Sequence, residues 1–139
     1  MDKVTHRVEH AKWAGRRVTL ICGPPGSGKS TLARDTHDRV IEVEDFDDAP
    51  SVRDALRLFG RAVSKVGRRP WTESSVAVVR CAASAVEREH HEQMCRPSAT
   101  VVLLVDAETC HARIDARGRN RAGERAAVDA WWKVWNAEQ

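Results

Sequence analysis

Short apolar runs alternate along the chain with longer segments in which apolar side chains recur every three or four positions. Runs of this kind are typical of strands that are buried on both faces of a sheet. Four of them are predicted to be strands: 17–22, 40–44, 76–79 and 100–105. Because a helical segment follows each strand, the pattern predicts an α/β fold with a parallel sheet between helices.

The segments between and after these runs have the spacing and the end signals of helices. Five helices are predicted, over 30–38, 51–67, 84–95, 107–117 and 124–136. Two of them open with a serine that precedes an acidic residue by three positions, as in a capping box: Ser51 with Asp54, and Ser84 with Glu87. Gly118 is the expected stop of the fourth helix. The polar segment 1–15 is expected to form a loose lead-in or a short helix.

The length of the chain, 139 residues, fits one domain over 1–139 that can bury a core without metal or disulfide staples. Its net charge of +3 suits an anionic partner without identifying one. The chain has 18 Arg against 5 Lys. This bias suits bidentate contact with phosphate, but a GC-rich genome produces the same bias, and both explanations stay open.

The chain has none of the sequence features of exported or membrane proteins. Its first residues include no apolar signal segment, and no apolar run approaches the ~20 residues that span a bilayer. We therefore expect a soluble, cytoplasmic protein without a membrane partner. The four cysteines have neither disulfide nor zinc spacing, and the oligomeric state is left open.

The strongest chemical signal is the segment GPPGSGKS at 23–30, which matches the phosphate-binding pattern G-x-x-x-x-G-K-[ST]. It follows a predicted strand and opens a predicted helix, the context in which such a loop turns its backbone N–H groups toward a phosphate. Lys29 is expected to reach the β- and γ-phosphates of ATP, and Ser30 to bind Mg²⁺. The predicted contacts with the nucleotide are consecutive residues: Gly23, Pro24, Pro25, Gly26, Ser27, Gly28, Lys29, Ser30 and Thr31.

With this loop and this order of elements, the chain resembles the P-loop NTPases. Within them it resembles the small kinase-like branch that includes adenylate kinase, shikimate kinase and polynucleotide kinase, over about residues 17–121. It is also similar to small ATP-binding proteins encoded by bacteriophages of GC-rich hosts. The resemblance implies a three-layer α/β/α fold with a parallel sheet of four or five strands, ATP and Mg²⁺ as ligands, and a short lid that carries arginines.

A phosphotransferase also needs carboxylates beside the metal and the acceptor. In the kinase-like branch an aspartate just after the second strand serves the acceptor. The matching catalytic candidates here are Asp45, which is also a metal candidate, and Asp47; the alternative is an acidic turn that caps the next helix. The third strand ends at Arg80 instead of the family's acid, so we expect Arg80 to face a phosphate of the acceptor. Asp106, after the fourth strand, is the remaining metal candidate, and its alternative role is that of a helix N-cap.

Arginines cluster around the end of the fourth predicted helix. Arg113 and Arg117 share one helix face, and Arg119 and Arg121 follow in a basic loop. The resemblance implies a lid at about 117–123, with Arg113 and Arg117 binding the nucleotide and Arg117 acting in catalysis. The alternative is a solvated helix end, where cations interact favourably with the helix dipole.

The tryptophans near the end of the chain form an apolar stripe on the last predicted helix. Val128, Trp131, Trp132 and Trp135 have the spacing of one helix face, and we expect the stripe to dock this helix on the sheet or on a partner. Trp71 follows a basic segment and is a candidate for contact with a nucleotide or a nucleic acid, with packing in its own loop as the alternative.

These features predict an ATP-dependent phosphotransferase that moves the γ-phosphoryl group to an acceptor such as a nucleotide, a nucleic-acid end or a small metabolite. The alternative is a catalytically weak nucleotide-binding module that acts as an ATP-dependent switch or assembly component. The missing acid after Val79 favours that alternative. A motor-type ATPase is disfavoured because the chain is too short for one.

Overall fold

A computed structural model describes residues 5–69, 74–118 and 121–139. In this part of the chain five strands form one sheet: β1 Thr5–Glu9, β2 Val18–Cys22, β3 Arg39–Ile41, β4 Val76–Arg80 and β5 Ala99–Leu103. Five α-helices accompany them: α1 Lys29–Thr36, α2 Val52–Arg68, α3 Ala85–Cys95, α4 Ala107–Arg117 and α5 Arg121–Ala137. Short 3-10 turns lie at Ala11–Trp13 and Val43–Phe46.

The strands lie in the order β1-β5-β2-β4-β3. The four strands β2 to β5 are parallel, as predicted. β1 pairs antiparallel with β5, with Thr5 opposite Leu103 and Glu9 opposite Ala99. The fifth strand therefore lies in the segment that was expected to be a lead-in or a short helix, and that expectation is wrong. All five residues of β1 are exposed, so backbone pairing with β5, and not burial, makes this segment a strand.

Two strands are shorter than the apolar pattern predicts. β3 ends at Ile41, and the predicted remainder up to position 44 enters the 3-10 turn Val43–Phe46. The strand stops there because Glu42 and Asp45 form a reciprocal capping box, in which the carboxylate of Asp45 accepts the backbone N–H of Glu42 at 3.0 Å. β5 likewise ends at Leu103 and not at position 105.

The helix signals read from the sequence are largely confirmed. Ser51 and Ser84 cap α2 and α3 by accepting N–H groups three residues on, and Gly118 ends α4 with a φ of 76°. The last helix, α5, begins at Arg121 and not at position 124. Residues 121–123 of the predicted basic loop are therefore helical.

Buried side chains form two clusters, one on each face of the sheet. Alternate residues of β2 separate them, since Leu20 belongs to the first cluster and Ile21 to the second. Phe59 of α2 joins the first cluster, and Ala33 of α1 and Ile114 of α4 join the second. Helices therefore cover both faces, as the buried parallel strands require. In the described part of the chain, every helix is too short or too polar to span a bilayer.

Helix α5 lies against the carboxyl edge of the sheet. The indole N–H of Trp131 donates to the carbonyl of Cys81, just after β4, at 2.7 Å. The indole N–H of Trp132 donates to the carbonyl of Val105, just after β5, at 3.2 Å. The predicted docking of the tryptophan stripe on the sheet is confirmed, and the contacts lie on either side of the loop that follows β2.

Candidate functional site

The segment 23–30 connects the central strand β2 to α1 at the carboxyl edge of the sheet, where ligands bind in open α/β sheets. Two of its glycines leave no room for a side chain. A Cβ on Gly23 would lie 2.7 Å from the hydroxyl of Ser27, and a Cβ on Gly26, whose φ is +79°, would lie 2.8 Å from the carbonyl of Cys110. The loop is therefore tightly folded, and positions 23 and 26 require glycine.

The polar groups of this loop are arranged as an anion site requires. Lys29 begins α1, and its ammonium donates to the carbonyl of Pro24 across the loop at 2.9 Å. The hydroxyl of Ser27 is buried and has no hydrogen-bond partner among the described residues. Together with the N-terminus of α1, these donors fit the phosphates of a nucleotide.

A carboxylate that the sequence analysis did not select lies next to the metal candidate. The hydroxyl of Ser30 donates to a carboxylate oxygen of Glu42 at 2.6 Å. The side chain of Glu42 is only 12% exposed, and its second oxygen lies 3.6 Å from the guanidinium of Arg34. A hydroxyl and a carboxylate are the hard oxygen ligands that Mg²⁺ prefers, and Mg²⁺ needs only one or two protein ligands beside phosphates. The residues present therefore fit a magnesium–triphosphate complex.

Glu42 was missed because the apolar pattern placed it inside a strand over 40–44. The sequence does contain a signal that marks the true end of the strand, since Glu42 and Asp45 have the three-residue spacing of reciprocal caps. A carboxylate just past the end of a parallel strand is a candidate ligand by position.

The predicted acidic candidates after β3 face solvent, and one of them, Asp45, contacts Glu42. Asp45 and Asp47 are exposed, and one oxygen of Asp45 accepts the N–H of Glu42. The alternative interpretation, an acidic cap, is confirmed in part: Asp45 caps the 3-10 turn Val43–Phe46, whereas Ser51 caps α2. The catalytic role of Asp45 and Asp47 and the metal role of Asp45 stay predictions.

Asp106 caps α4 in the structure. Its carboxylate accepts the N–H of Thr109 at 2.7 Å, and this bond lowers the pKa of Asp106. The N-cap interpretation is therefore confirmed. The metal role of Asp106 stays a prediction.

Arg80 brings a cation to the carboxyl end of β4, directly beside the loop. It is opposite Cys22 in the register of β4 and β2, half-buried, and stacked over the ring of Phe59 at 5.5 Å. Its Nε is buried without a partner among the described residues. Nearby, burial first and the charge of Arg80 second lower the pKa of His91 to about 4. The edge of the sheet on the α2–α3 side thus carries an incompletely bonded cation.

The predicted lid arginines differ in position. Arg113 donates to the carbonyl of Gly26 at 3.1 Å, so α4 contacts the loop 23–30. Arg117 instead pairs with Glu124 of α5 at 2.6 Å, which ties the two helices together. Arg119, the side chain of Arg121 and Trp71 lie outside the described residues. The nucleotide contacts of Arg113 and Arg117 stay predictions.

No family model matches the chain, and none of the curated proteins matches it significantly in sequence. Among solved structures, one chain of the Pnkp1/Rnl/Hen1 RNA repair complex is similar to it, with a TM-score of 0.64 and 17% sequence identity over 88% of this chain. This chain spans 45% of the length of that neighbour. At this sequence identity the similarity supports a shared fold alone, namely a mostly parallel β-sheet flanked by helices.

Proposed function

We propose that this protein is a P-loop phosphotransferase of α/β/α architecture that binds ATP with Mg²⁺ and moves the γ-phosphoryl group to an acceptor. The observation that carries the proposal is the folded loop 23–30, with Lys29 and Ser30 at the start of α1 and Ser30 bonded to Glu42 at 2.6 Å. The kinase-like resemblance of the sequence and the shared fold of a chain from an RNA repair complex support it.

In the proposed complex the backbone N–H groups of the loop and the first turn of α1 surround the β- and γ-phosphates. Lys29 leaves the carbonyl of Pro24 and donates to phosphate oxygens instead, since a charge-assisted bond is stronger than a bond to a neutral carbonyl. Bound Mg²⁺ would neutralise part of the charge on the transferred group. Ser30 would hold it directly, with Glu42 orienting that hydroxyl and Asp106 reaching it only through water.

The acceptor would lie on the α2–α3 side of the carboxyl edge. Asp45 keeps one carboxylate oxygen outside its bond to Glu42 and is the proposed base for the acceptor hydroxyl, with Asp47 beside it. Arg80, with its unpartnered Nε, suits an acceptor that carries a phosphate, such as a nucleotide or a nucleic-acid end. Arg113 is already at the loop, whereas Arg117 would have to leave Glu124 to reach the transferred group.

One observation favours a second candidate function, a nucleotide-binding module with weak catalysis. The strand next to the loop, β4, ends in Arg80 where a phosphotransferase of this type carries an acid. Glu42 is in addition already engaged by Ser30 and Arg34. Such a module would bind ATP as a switch or as part of an assembly.

The proposal is tested first by nucleotide binding. Replacing Lys29 by Ala removes a charge-assisted bond of about 1.5–3 kcal/mol, so we expect the affinity for Mg²⁺–ATP in calorimetry to fall about tenfold to hundredfold. Lys12→Ala, which removes an exposed lysine from the turn Ala11–Trp13, is the matched control and should bind as the wild type does. Equal binding by the Lys29 variant and the wild type would show that the loop 23–30 is not the nucleotide site.

Turnover distinguishes the two candidates. ADP formation should be measured with and without pooled nucleosides, nucleotides and oligonucleotides, for the wild type and Asp45→Ala. ADP that appears only with an acceptor, and is lost in the variant, supports the phosphotransferase. Binding of ATP without ADP under any of these conditions supports the module.

A further inference from the structure

Helix α2 carries a line of cations that the proposed phosphate site does not use. Its basic residues recur at intervals of three or four positions, which puts them on one face of the helix. They are Arg53, Arg57, Arg61, Lys65 and Arg68. Five basic residues against one acid, Asp54, give α2 a net charge of +4, compared with +3 for the whole chain. The positive charge of this protein is therefore concentrated on one helix, and we call this face the α2 ridge.

The α2 ridge is largely uncompensated. Arg57 pairs with Asp54 of the same helix at 3.2 Å. Within residues 5–69, 74–118 and 121–139, no carboxylate forms an ion pair with Arg61, Lys65 or Arg68. A surface groove of about 490 Å³ runs beside these cations, with Met94 of α3 on its other side, and none of the described residues that line it is acidic.

The shape of the α2 ridge suits a linear polyanion. A helix rises 1.5 Å per residue, so the cations follow one another at about 6 Å and cover about 22 Å from Arg53 to Arg68. The opposite face of α2 is buried in the core through Phe59, Val63 and Val66, so the charged face points outward. Arginine, which makes bidentate contacts with phosphate, supplies four of the five cations.

The α2 ridge also begins close to the proposed acceptor side. Helix α2 starts at Val52, shortly after the turn Val43–Phe46, and Asp45 of that turn is bonded to Glu42. Phe59 of the same helix lies under Arg80. An anionic chain that follows the ridge would thus lead toward the carboxyl edge of the sheet.

We propose that the α2 ridge binds the phosphodiester backbone of a polynucleotide. That the bound strand is also the acceptor of the phosphoryl group rests on the proposed function, whereas the binding itself does not. Contacts of this kind are electrostatic and independent of base sequence, and their strength falls steeply with salt because they release counterions.

The test measures the binding of a fluorescent single-stranded oligonucleotide of about 20 nucleotides by anisotropy, from about 50 to 200 mM salt. We expect Arg61→Gln/Lys65→Gln to weaken binding about tenfold at the lower salt concentration. The slope of log K against log salt should become shallower by about 0.7 for each lost contact, hence about 1.4 in total. The matched control is Arg7→Gln/Lys12→Gln, which removes the same charge at the opposite edge of the sheet, near β1, and should retain the wild-type affinity and slope.

Three results would overturn the proposal: no binding by the wild type at the lower salt concentration, an equal loss in both double variants, or an unchanged slope in the ridge variant. Competition by poly-glutamate at equal charge as effective as that by unlabelled oligonucleotide would assign the ridge to an acidic polypeptide instead. ATP affinity is measured on the same samples. Urea unfolding of both double variants shows whether they are folded. A wild type that binds the oligonucleotide but not ATP would contradict the proposed function while leaving the ridge assignment intact.

Discussion

Glu42 lies between three groups of the candidate site. Its carboxylate accepts from the hydroxyl of Ser30 at 2.6 Å, faces Arg34 at 3.6 Å, and accepts the N–H of Asp45 as a cap. Hydrogen bonds to an ionised acceptor are short and strong, and they orient the donor. The carboxylate of Glu42 therefore fixes the orientation of the Ser30 hydroxyl, and under the proposed function this is the hydroxyl that would bind Mg²⁺.

This arrangement predicts the effect of removing that charge. Glu42→Gln keeps the size of the side chain, and we expect acceptor-dependent ADP formation at saturating Mg²⁺–ATP to fall about 10²-fold or more. The affinity for ATP should change less than about tenfold, because Lys29 and the loop amides supply most of it.

Asp48→Asn is the control for this variant, since it neutralises an exposed acid that follows the same turn. It should retain wild-type turnover. Equal rates for Glu42→Gln and the wild type, or equal losses in both variants, would show that Glu42 has no particular role in the chemistry.

Helices α2 and α3 pack with their backbones in close approach. A Cβ on Gly67 of α2 would lie 1.7 Å from the carbonyl oxygen of Met94, whereas a Cβ on Gly60 of the same helix would find its nearest atom, the terminal methyl of Met94, at 3.8 Å. The two glycines thus sit in the same helix but in different surroundings. Only Gly67 is required by the packing of the two helices.

Gly67→Ala is therefore expected to lower the free energy of unfolding by about 2–3 kcal/mol, because α2 and α3 must move apart. Gly60→Ala adds a methyl group in ordinary contact and should be neutral or stabilising by up to about 1 kcal/mol, since alanine is the better helix former. Urea unfolding of both variants measures the difference. If the two alanine variants are equally stable, the close approach of the helices is not present in solution.

The stability of the whole molecule should depend on pH through His91 of α3. Burial, and then the charges of Arg80 and His90, lower its pKa to about 4, while Glu87 acts in the opposite direction and Phe59 borders the ring. In the unfolded chain its pKa returns to about 6.5. Between these values the unfolded state takes up a proton that the folded state does not, so the free energy of unfolding falls as the pH decreases from about 6.5 toward 4.

We expect His91→Gln to lose less stability than the wild type when urea unfolding is repeated at about pH 7 and about pH 5. His6→Gln, at an exposed position of β1, should follow the wild type. Acid residues and His37, whose pKa burial also lowers, contribute equally to all three proteins. Identical pH dependence of His91→Gln and the wild type would contradict the lowered pKa.

Local features of this protein could be predicted from the sequence because their signals lie within a few residues of one another. The strand–loop–helix unit around 23–30 is one example, and the caps at Ser51, Ser84 and Asp106 are others. The partners of each cap are three positions apart, so their spacing in the chain already determines that they meet. The tryptophan stripe on α5 belongs to the same class, since helical spacing alone defines its face.

Contacts between distant parts of the chain were decided only by the tertiary structure. Strand β1 has a single apolar residue, Val8, and exists because its backbone pairs with β5 some 90 residues later. Ser30 meets Glu42 across 12 residues, and Trp131 reaches the carbonyl of Cys81 across 50. No short-range spacing in the sequence predicts these contacts, because each depends on where the sheet places the ends of its strands. The shape of the loop 23–30 thus follows from its own residues, whereas its contact with Glu42 and the position of α5 beside it depend on how the sheet assembles.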